Sequence, residues 1–345
     1  MSGEEGIGEK CGIAAVYLKK PLSHYPEGGA AHFLQKMLLQ LQHRGQLSAG
    51  ISTYQPGRAE VLKTYKDVGL ASEVFHHRDP DKNRDITLQL NGVAGIGHVR
   101  YATSGSNACE DAQPFERIHQ RLWKWFAFGF NGNIANANEL RKSLEENQYH
   151  FRGNGDTEVF MHMMAKNLGP DSPAPLHEAF ASLPQKLDGA YSLTFLNAAG
   201  DLALLRDPLG FKPLCYAETD DFFLAASESV ALLPFVKSGI RFVKPGELIC
   251  VNESGTTNHH LSSQPETFPP RTAHCMFEWV YFAAPASHLD GRNVYDARWQ
   301  LGVELAKNEM LDVNAQEFIV VNVPDTSRPA ADGYSYTLGL PNKEG

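Results

Sequence analysis

GIGEKCGIAAVYL, residues 6–18, places the first cysteine of the chain, Cys11, directly ahead of an apolar run of small and β-branched residues. Residues 12–18 read as a buried strand. The ten residues before Cys11 are polar and glycine-rich. A reactive side chain at the head of a core strand, behind a polar leader, is the feature from which the rest of the chain is read.

Length and composition set the frame. A chain of 345 residues exceeds one ordinary core, so two domains, or one large and one partial, are expected. The hydrophobic share of 42% and charged share of 21% are those of a soluble globular protein. A net charge of −9 argues against a nucleic-acid surface, which would be basic. No stretch approaches the roughly 20 apolar residues of a membrane span. The acidic N-terminus has no secretory apolar core, so a cytoplasmic location is expected. The five cysteines, Cys11, Cys109, Cys215, Cys250 and Cys275, are odd in number and scattered, which suits reduced thiols. The pairs His76–His77 and His259–His260 fall in polar, loop-like contexts and are not expected to hold metal.

The pattern along the chain predicts a helix over 29–43, whose apolar stripe is Phe33, Leu34, Met37, Leu38 and Leu41. Short β-rich runs follow at 48–55, 59–66 and 92–102, and a strand at 123–133 ends in a glycine turn. Helices are predicted at 136–147, opening on asparagine capping signals, at 156–169 and at 176–187. Five further strands follow between 190 and 253. Strands and helices in groups, with no βαβ alternation, indicate an α+β fold with helices layered on antiparallel sheets. Residues 254–272 are polar, carry three prolines and read as a linker. EFIVVNVP, residues 317–324, reads as a strand buried on both faces of a parallel sheet, the start of a second domain.

Several residues could carry chemistry. A lone cysteine is ordinarily a small buried hydrophobe. Arg100 ends the strand in GIGHVRYATSG, and its forked guanidinium suits a carboxylate. In FNGN, residues 130–133, a turn could offer the Asn131 amide and the Gly132 N–H to an oxyanion. In GDTE, Asp156 is either an N-cap or a partner for an ammonium group. His43–Arg44–Gly45 reads as an ordinary helix C-terminus. Together these parts suit one ligand with a carboxylate, an ammonium and a hydrolysable amide, which is glutamine.

At this point the sequence resembles the class II glutamine amidotransferases, and within them the branch that acts on phosphoribosyl pyrophosphate. The matching stretches are CGIAAV, LQHRGQLSAGI, GIGHVRYATSG, NGNIANANELR, GDTE, RDPLGFKPL, ASESVAL, VKPGELI, CMFEWVYFAAPASHLDGRNVYDAR and VPDTSRP, in the family's order. HRGQ and GHVRY favour this branch over the hexosephosphate aminotransferases.

The resemblance implies a four-layer αββα N-terminal nucleophile glutaminase domain, followed by the start of an α/β type I phosphoribosyltransferase domain. It implies a propeptide at 1–10, glutaminase at 11–255, a linker at 256–274 and the transferase start at 275–345. It implies Cys11 as nucleophile, with its own freed α-amino group as base through a water, and Asn131 and Gly132 at the oxyanion. Arg100, Tyr101, Thr103 and Asp156 would bind glutamine, and Asp325, Thr326 and Ser327 would face phosphoribosyl pyrophosphate. The implied partners are those two small molecules and further copies of the chain in a homo-oligomer. Mg²⁺ is the full-length family's cofactor. Some members carry an iron–sulfur cluster, and Cys275 stands at one ligand position.

The chain also departs from the pattern. Leu47 replaces an aspartate after HRGQ, Phe130 a histidine before NGN, and Ala284 and Ala286 the arginine and aspartate of FARPDS. The family's acidic phosphoribosyl pyrophosphate loop has no counterpart, so a C-terminally truncated chain that hydrolyses glutamine is expected. The alternatives are an idle glutaminase-like binding domain and an amidotransferase with another acceptor.

Overall fold

The structure, a computed structural model, describes residues 10–101, 109–151, 153, 155–261 and 272–344. The first strand, Gly12–Leu18, is buried along its whole length. It lies in the middle of a seven-stranded antiparallel sheet, between Phe222–Ala226 and Ala94–Arg100. Ala14, Val16 and Leu18 face helix Gly29–Gln40, whereas Ile13, Ala15 and Tyr17 face a second sheet. Two apolar faces explain why the run shows no polar alternation.

The second sheet has six strands, in the order Gly255–His260, Glu247–Asn252, Leu202–Arg206, Gly189–Asn197, Phe126–Ile134 and Phe115–Arg117. Between the sheets pack Ile13, Ile96, Ala127, Leu196, Leu204 and Ile249. Outside the first sheet, Leu34, Met37, Leu38 and Leu41 bury the predicted helix stripe, with Phe33 only partly covered. Each such leucine stabilises the fold by about 1.5–3 kcal/mol. The helix lies close on the glycine-rich strand, where a Cβ at Gly95 would come within 2.7 Å of Leu34 Cδ1. Outside the second sheet, Val159, Phe160, Met163 and Met164 of helix Asp156–Asn167 pack on Phe126, Phe128, Phe130 and Phe195. The layers run helix, sheet, sheet, helix, as the resemblance implies.

Several expectations are corrected. The first helix ends at Gln40, and Gln42–Arg44 form a 3-10 turn. The strand expected at 59–66 runs over Leu62–Val68. Helices Ala71–Val74 and Pro80–Gln89 were not anticipated, although Asp79 caps the second through Lys82 N at 3.2 Å and Pro80 opens it. Residues 176–187 break at Ser182 into two short helices. Asn136 sits at the cap of Ala137–Glu146, but its side chain bonds Lys186 O and Asp188 N instead of the helix. The polar 255–260 run is an edge strand, because each of its residues pairs with Glu247–Asn252. His259 therefore lies on a strand, with its ring stacked 4.4 Å from that of His177. Residues 262–271 of the expected linker lie outside the described residues.

Residues 272–344 dock on strand ends and loops of both sheets, at Glu228 beside the first and at Arg206 of the second. Arg206 donates to Asp290 at 2.7 and 2.9 Å. Helices Val294–Lys307 and Arg328–Leu338 pack on each other. The doubly buried strand expected at 317–324 is contradicted. Only Val320–Val321 is strand, paired in parallel with Asn342–Lys343, and Val323 is 77% exposed. A two-residue ladder with no second covering layer cannot bury an apolar run.

Candidate active site

Cys11 is buried at the head of the first strand, and its Sγ donates to Tyr101 O at 3.7 Å. Gly12 pairs with Val99, so strand register alone brings Cys11 beside the Arg100–Tyr101 end of the neighbouring strand. Arg100 Nη1 lies 3.9 Å from Asp111 Oδ2. Leu47, one of the departures, donates its N–H to Arg100 O at 3.0 Å.

Asn131 and Gly132 do not form a turn. They lie inside the nine-residue strand Phe126–Ile134, which pairs with Gly189–Asn197 along its full length. Gly132 has φ +153, and a Cβ there would come within 2.1 Å of Ala190 O. That close approach, not a turn, requires glycine. Asn131 faces the space between the sheets. Its Oδ1 and Nδ2 are buried and have no hydrogen-bond partner among the described residues. An unsatisfied buried amide is costly unless a ligand or water meets it.

The neighbouring residue, Phe130, points the other way. Its ring stacks on Tyr191 at 5.9 Å within the outer core. The departure from histidine thus changes core packing on the face of the strand opposite Asn131. The strand is tied to the first sheet by His98, whose Nε2 lies 3.1 Å from Phe130 O. Burial pushes the His98 ring down to about 3, so it is neutral and donates that bond.

Asp156 is the first residue of helix Asp156–Asn167, and the cap position is Gly155. Its Oδ2 accepts from Ile134 N at 2.9 Å, which fixes it to the end of the Asn131 strand. Burial raises its carboxyl above the ordinary range, while the backbone N–H groups of Ile134 and Thr157 pull it down. Thr103 lies outside the described residues, as do residues 1–9. Lys10 is buried, and its Nζ stands 4.6, 4.0 and 4.6 Å from the ring centroids of Tyr101, Tyr281 and Phe282.

Four residues at the site escaped sequence reasoning. Arg44 is fully buried, and its Nε donates to Cys11 O at 3.2 Å. Its other nitrogens reach Glu228 at 2.5 Å and Glu278 at 2.7 and 2.9 Å. Burial opposes ionisation of Glu228, but Arg44 and His43 hold its carboxyl down at about 2. Glu228 also accepts from Ala284 N at 2.8 Å and Ser287 Oγ at 2.7 Å. At Ala284, a departure from the family pattern, docking thus uses the backbone. His98 is the fourth. All four fall within stretches that carry the resemblance, but nothing local assigns them these contacts, because their partners are distant in the chain.

Asp325, Thr326 and Ser327 stand together far along the sequence, in the loop before helix Arg328–Leu338. Ser327 Oγ donates to Val323 O at 2.5 Å. No group of three or more His, Cys, Asp or Glu side chains among the described residues is arranged to hold a metal ion. Among the described residues Cys275 has no companions of the kind an iron–sulfur cluster needs.

A cysteine heading the central strand of an αββα sandwich, with an unsatisfied amide between the two sheets, is the arrangement that the resemblance to glutamine amidotransferases of the N-terminal nucleophile type implies. Residues 98–234 match the glutamine amidotransferase domain family. The chain is 38% identical to the amidophosphoribosyltransferase of Methanothermobacter thermautotrophicus, over all of this chain and 67% of that protein. It is 35% identical to that of Methanocaldococcus jannaschii, over 97% of this chain and 68% of that one. It superimposes on the glutamine phosphoribosylpyrophosphate amidotransferase from B. subtilis complexed with ADP and GMP with a TM-score of 0.80 at 30% identity, covering 97% of this chain and 66% of that one. The chain belongs to the amidophosphoribosyltransferase family, and it spans about two thirds of the length of these relatives.

Proposed function

We propose that this chain hydrolyses glutamine at Cys11, and that in a protein with a complete second domain the ammonia passes to phosphoribosyl pyrophosphate in purine biosynthesis. The observation that carries the reading is the Asn131 amide, buried with both polar atoms unsatisfied, on the second sheet and facing the first, whose central strand Cys11 heads. Arg100 holds the substrate carboxylate, and Asp156 its ammonium, with Tyr101 and Thr103 completing the pocket. The Cys11 thiolate attacks the amide carbon, and Asn131 with the Gly132 N–H stabilises the oxyanion. The carbon–nitrogen bond breaks and ammonia leaves. Water then releases glutamate from the thioester and restores the thiol.

The base in this scheme is the α-amino group of Cys11 itself, acting through a water. Its ordinary pKa of about 7.7–8.0 suits proton transfer near neutrality. Residues 1–10 are therefore a leader cleaved after Lys10, the glutaminase unit is 11–255, and a transferase unit begins near 275. Asp325, Thr326 and Ser327, ahead of a helix N-terminus, are the contribution to a phosphoribosyl pyrophosphate site.

Glutamate release by the purified chain, compared with Cys11→Ala, tests the reading. A loss of at least a thousandfold in the variant supports it. Equal rates would leave an idle glutamine-binding domain. Intact mass of an active sample that retains residues 1–10 would refute the leader.

A further inference from the structure

Arg44 presents one edge of its guanidinium to Cys11 O and the opposite fork to Glu278. A guanidinium is planar and rigid, so a bidentate carboxylate on the fork sets the direction of the Nε edge. Glu278 lies outside both sheets, at the start of a π-helical turn, Glu278–Phe282, closed by Ala283 N donating to Glu278 O at 3.0 Å. Such turns re-aim side chains and recur at functional sites. The same turn supplies Tyr281 and Phe282 to the Lys10 ammonium. One turn of chain therefore holds both sides of the Lys10–Cys11 peptide.

Glu228, the other carboxylate on Arg44, has further duties. It also meets His43 at 2.9 Å, Ala284 N and Ser287 Oγ, and so anchors the docked segment. Glu278 directs both its oxygens to Arg44.

We propose that Glu278 is a positioning residue for glutamine hydrolysis: it orients Arg44, and through Arg44 the Cys11 carbonyl and the line along which the thiol meets substrate. This rests on the reading of Cys11 as the nucleophile. Glu278→Gln keeps the size of the side chain but turns an amide NH₂ toward a guanidinium N–H, so the fork is lost. Glu278→Asp keeps the charge but sits one methylene back and recovers part of it. Asp290→Asn is the control, since Asp290 clasps Arg206 between the same two regions without a bond to Arg44 or Cys11.

The experiment measures kcat and KM for glutamine, with Tm, on the full chain and on these three variants plus Cys11→Ala. The expected result is a kcat reduced at least tenfold in Glu278→Gln, an intermediate kcat in Glu278→Asp, and a KM within twofold in both. Asp290→Asn lowers Tm and leaves kcat within threefold. A Glu278→Gln kcat within twofold of the parent overturns the proposal, and so does an equal kcat loss in Asp290→Asn. Failure of both Glu278 variants to fold assigns the residue to stability and overturns it too. A Cys11→Ala rate equal to the parent's instead refutes the nucleophile reading.

Discussion

The Lys10 ammonium lies 4.0 Å from the centroid of the Tyr281 ring, on the residue that immediately precedes Cys11. Two more rings, Tyr101 and Phe282, stand at 4.6 Å. A desolvated cation over aromatic faces is worth about 1–2 kcal/mol. In chain shown by intact mass to retain Lys10, Lys10→Ala is expected to lose about that much stability in urea unfolding, and Lys10→Arg much less. An unchanged midpoint in Lys10→Ala would show that the rings contribute nothing to holding the junction.

Gly132→Ala places a methyl against Ala190 O and Tyr191, in a backbone conformation that alanine resists. A stability loss of about 2–4 kcal/mol is expected, together with loss of glutamate release. Chemical denaturation and the glutaminase assay measure the two effects. A stable and active variant would remove Gly132 from the oxyanion site.

Asp156→Asn should separate binding from stability. Burial raises the Asp156 carboxyl, so the folded chain holds its proton more tightly than the unfolded chain does. The favourable contribution is present below the unfolded value of about 3.9 and is lost as pH rises through the folded value. At pH 7 the ionised group therefore costs stability, and Asn should unfold at equal or higher urea, a gap that closes below about pH 4. Losing a charged partner for the substrate ammonium should raise KM for glutamine about tenfold or more. An unchanged KM would move the ammonium site elsewhere.

The buried network has the opposite sign. The Glu228 carboxyl is depressed to about 2, so its contribution is complete above the unfolded value of about 4.3 and lost as pH falls from there toward 2. Glu228→Gln leaves Arg44 and the docked segment short of an acceptor and should cost about 3–5 kcal/mol at pH 7. Its stability should vary less with pH between about 2 and 4.3 than the parent's. Parallel parent and variant profiles over that window would show that Glu228 is not the group responsible.

Phe130 offers a check on the departure from histidine. Its ring packs on Tyr191 and Phe160 in the outer core. Phe130→Ala should cost about 3–5 kcal/mol. Phe130→Leu should keep KM for glutamine within about threefold, because the side chain lies away from Asn131. A large KM change in Phe130→Leu would place the ring within the glutamine site.

The apolar run after Cys11, the Leu34–Met37–Leu38–Leu41 stripe and the grouping of strands and helices are local patterns, and they were enough for the layered α+β architecture. Motif order was enough for the family. Local pattern misled where pairing decided. FNGN looks like a turn because it holds Asn and Gly, but full-length pairing with Gly189–Asn197 makes it strand. EFIVVNVP looks like a core strand, but its apolar residues gain burial only from covering layers, and here Val323 stays exposed.

Arg44 shows the boundary most clearly. In the sequence it is a basic residue at a helix end, well explained by the helix dipole. Its partners, Glu228 and Glu278, lie 184 and 234 residues away, and no periodicity or spacing links such positions. The sequence by itself determined the layered core, the nucleophile candidate and the family, because burial patterns and motifs are written in neighbouring residues. Only the tertiary structure decided what holds Cys11 in place, because hydrogen bonds and ion pairs depend on distances in space that chain separation does not encode.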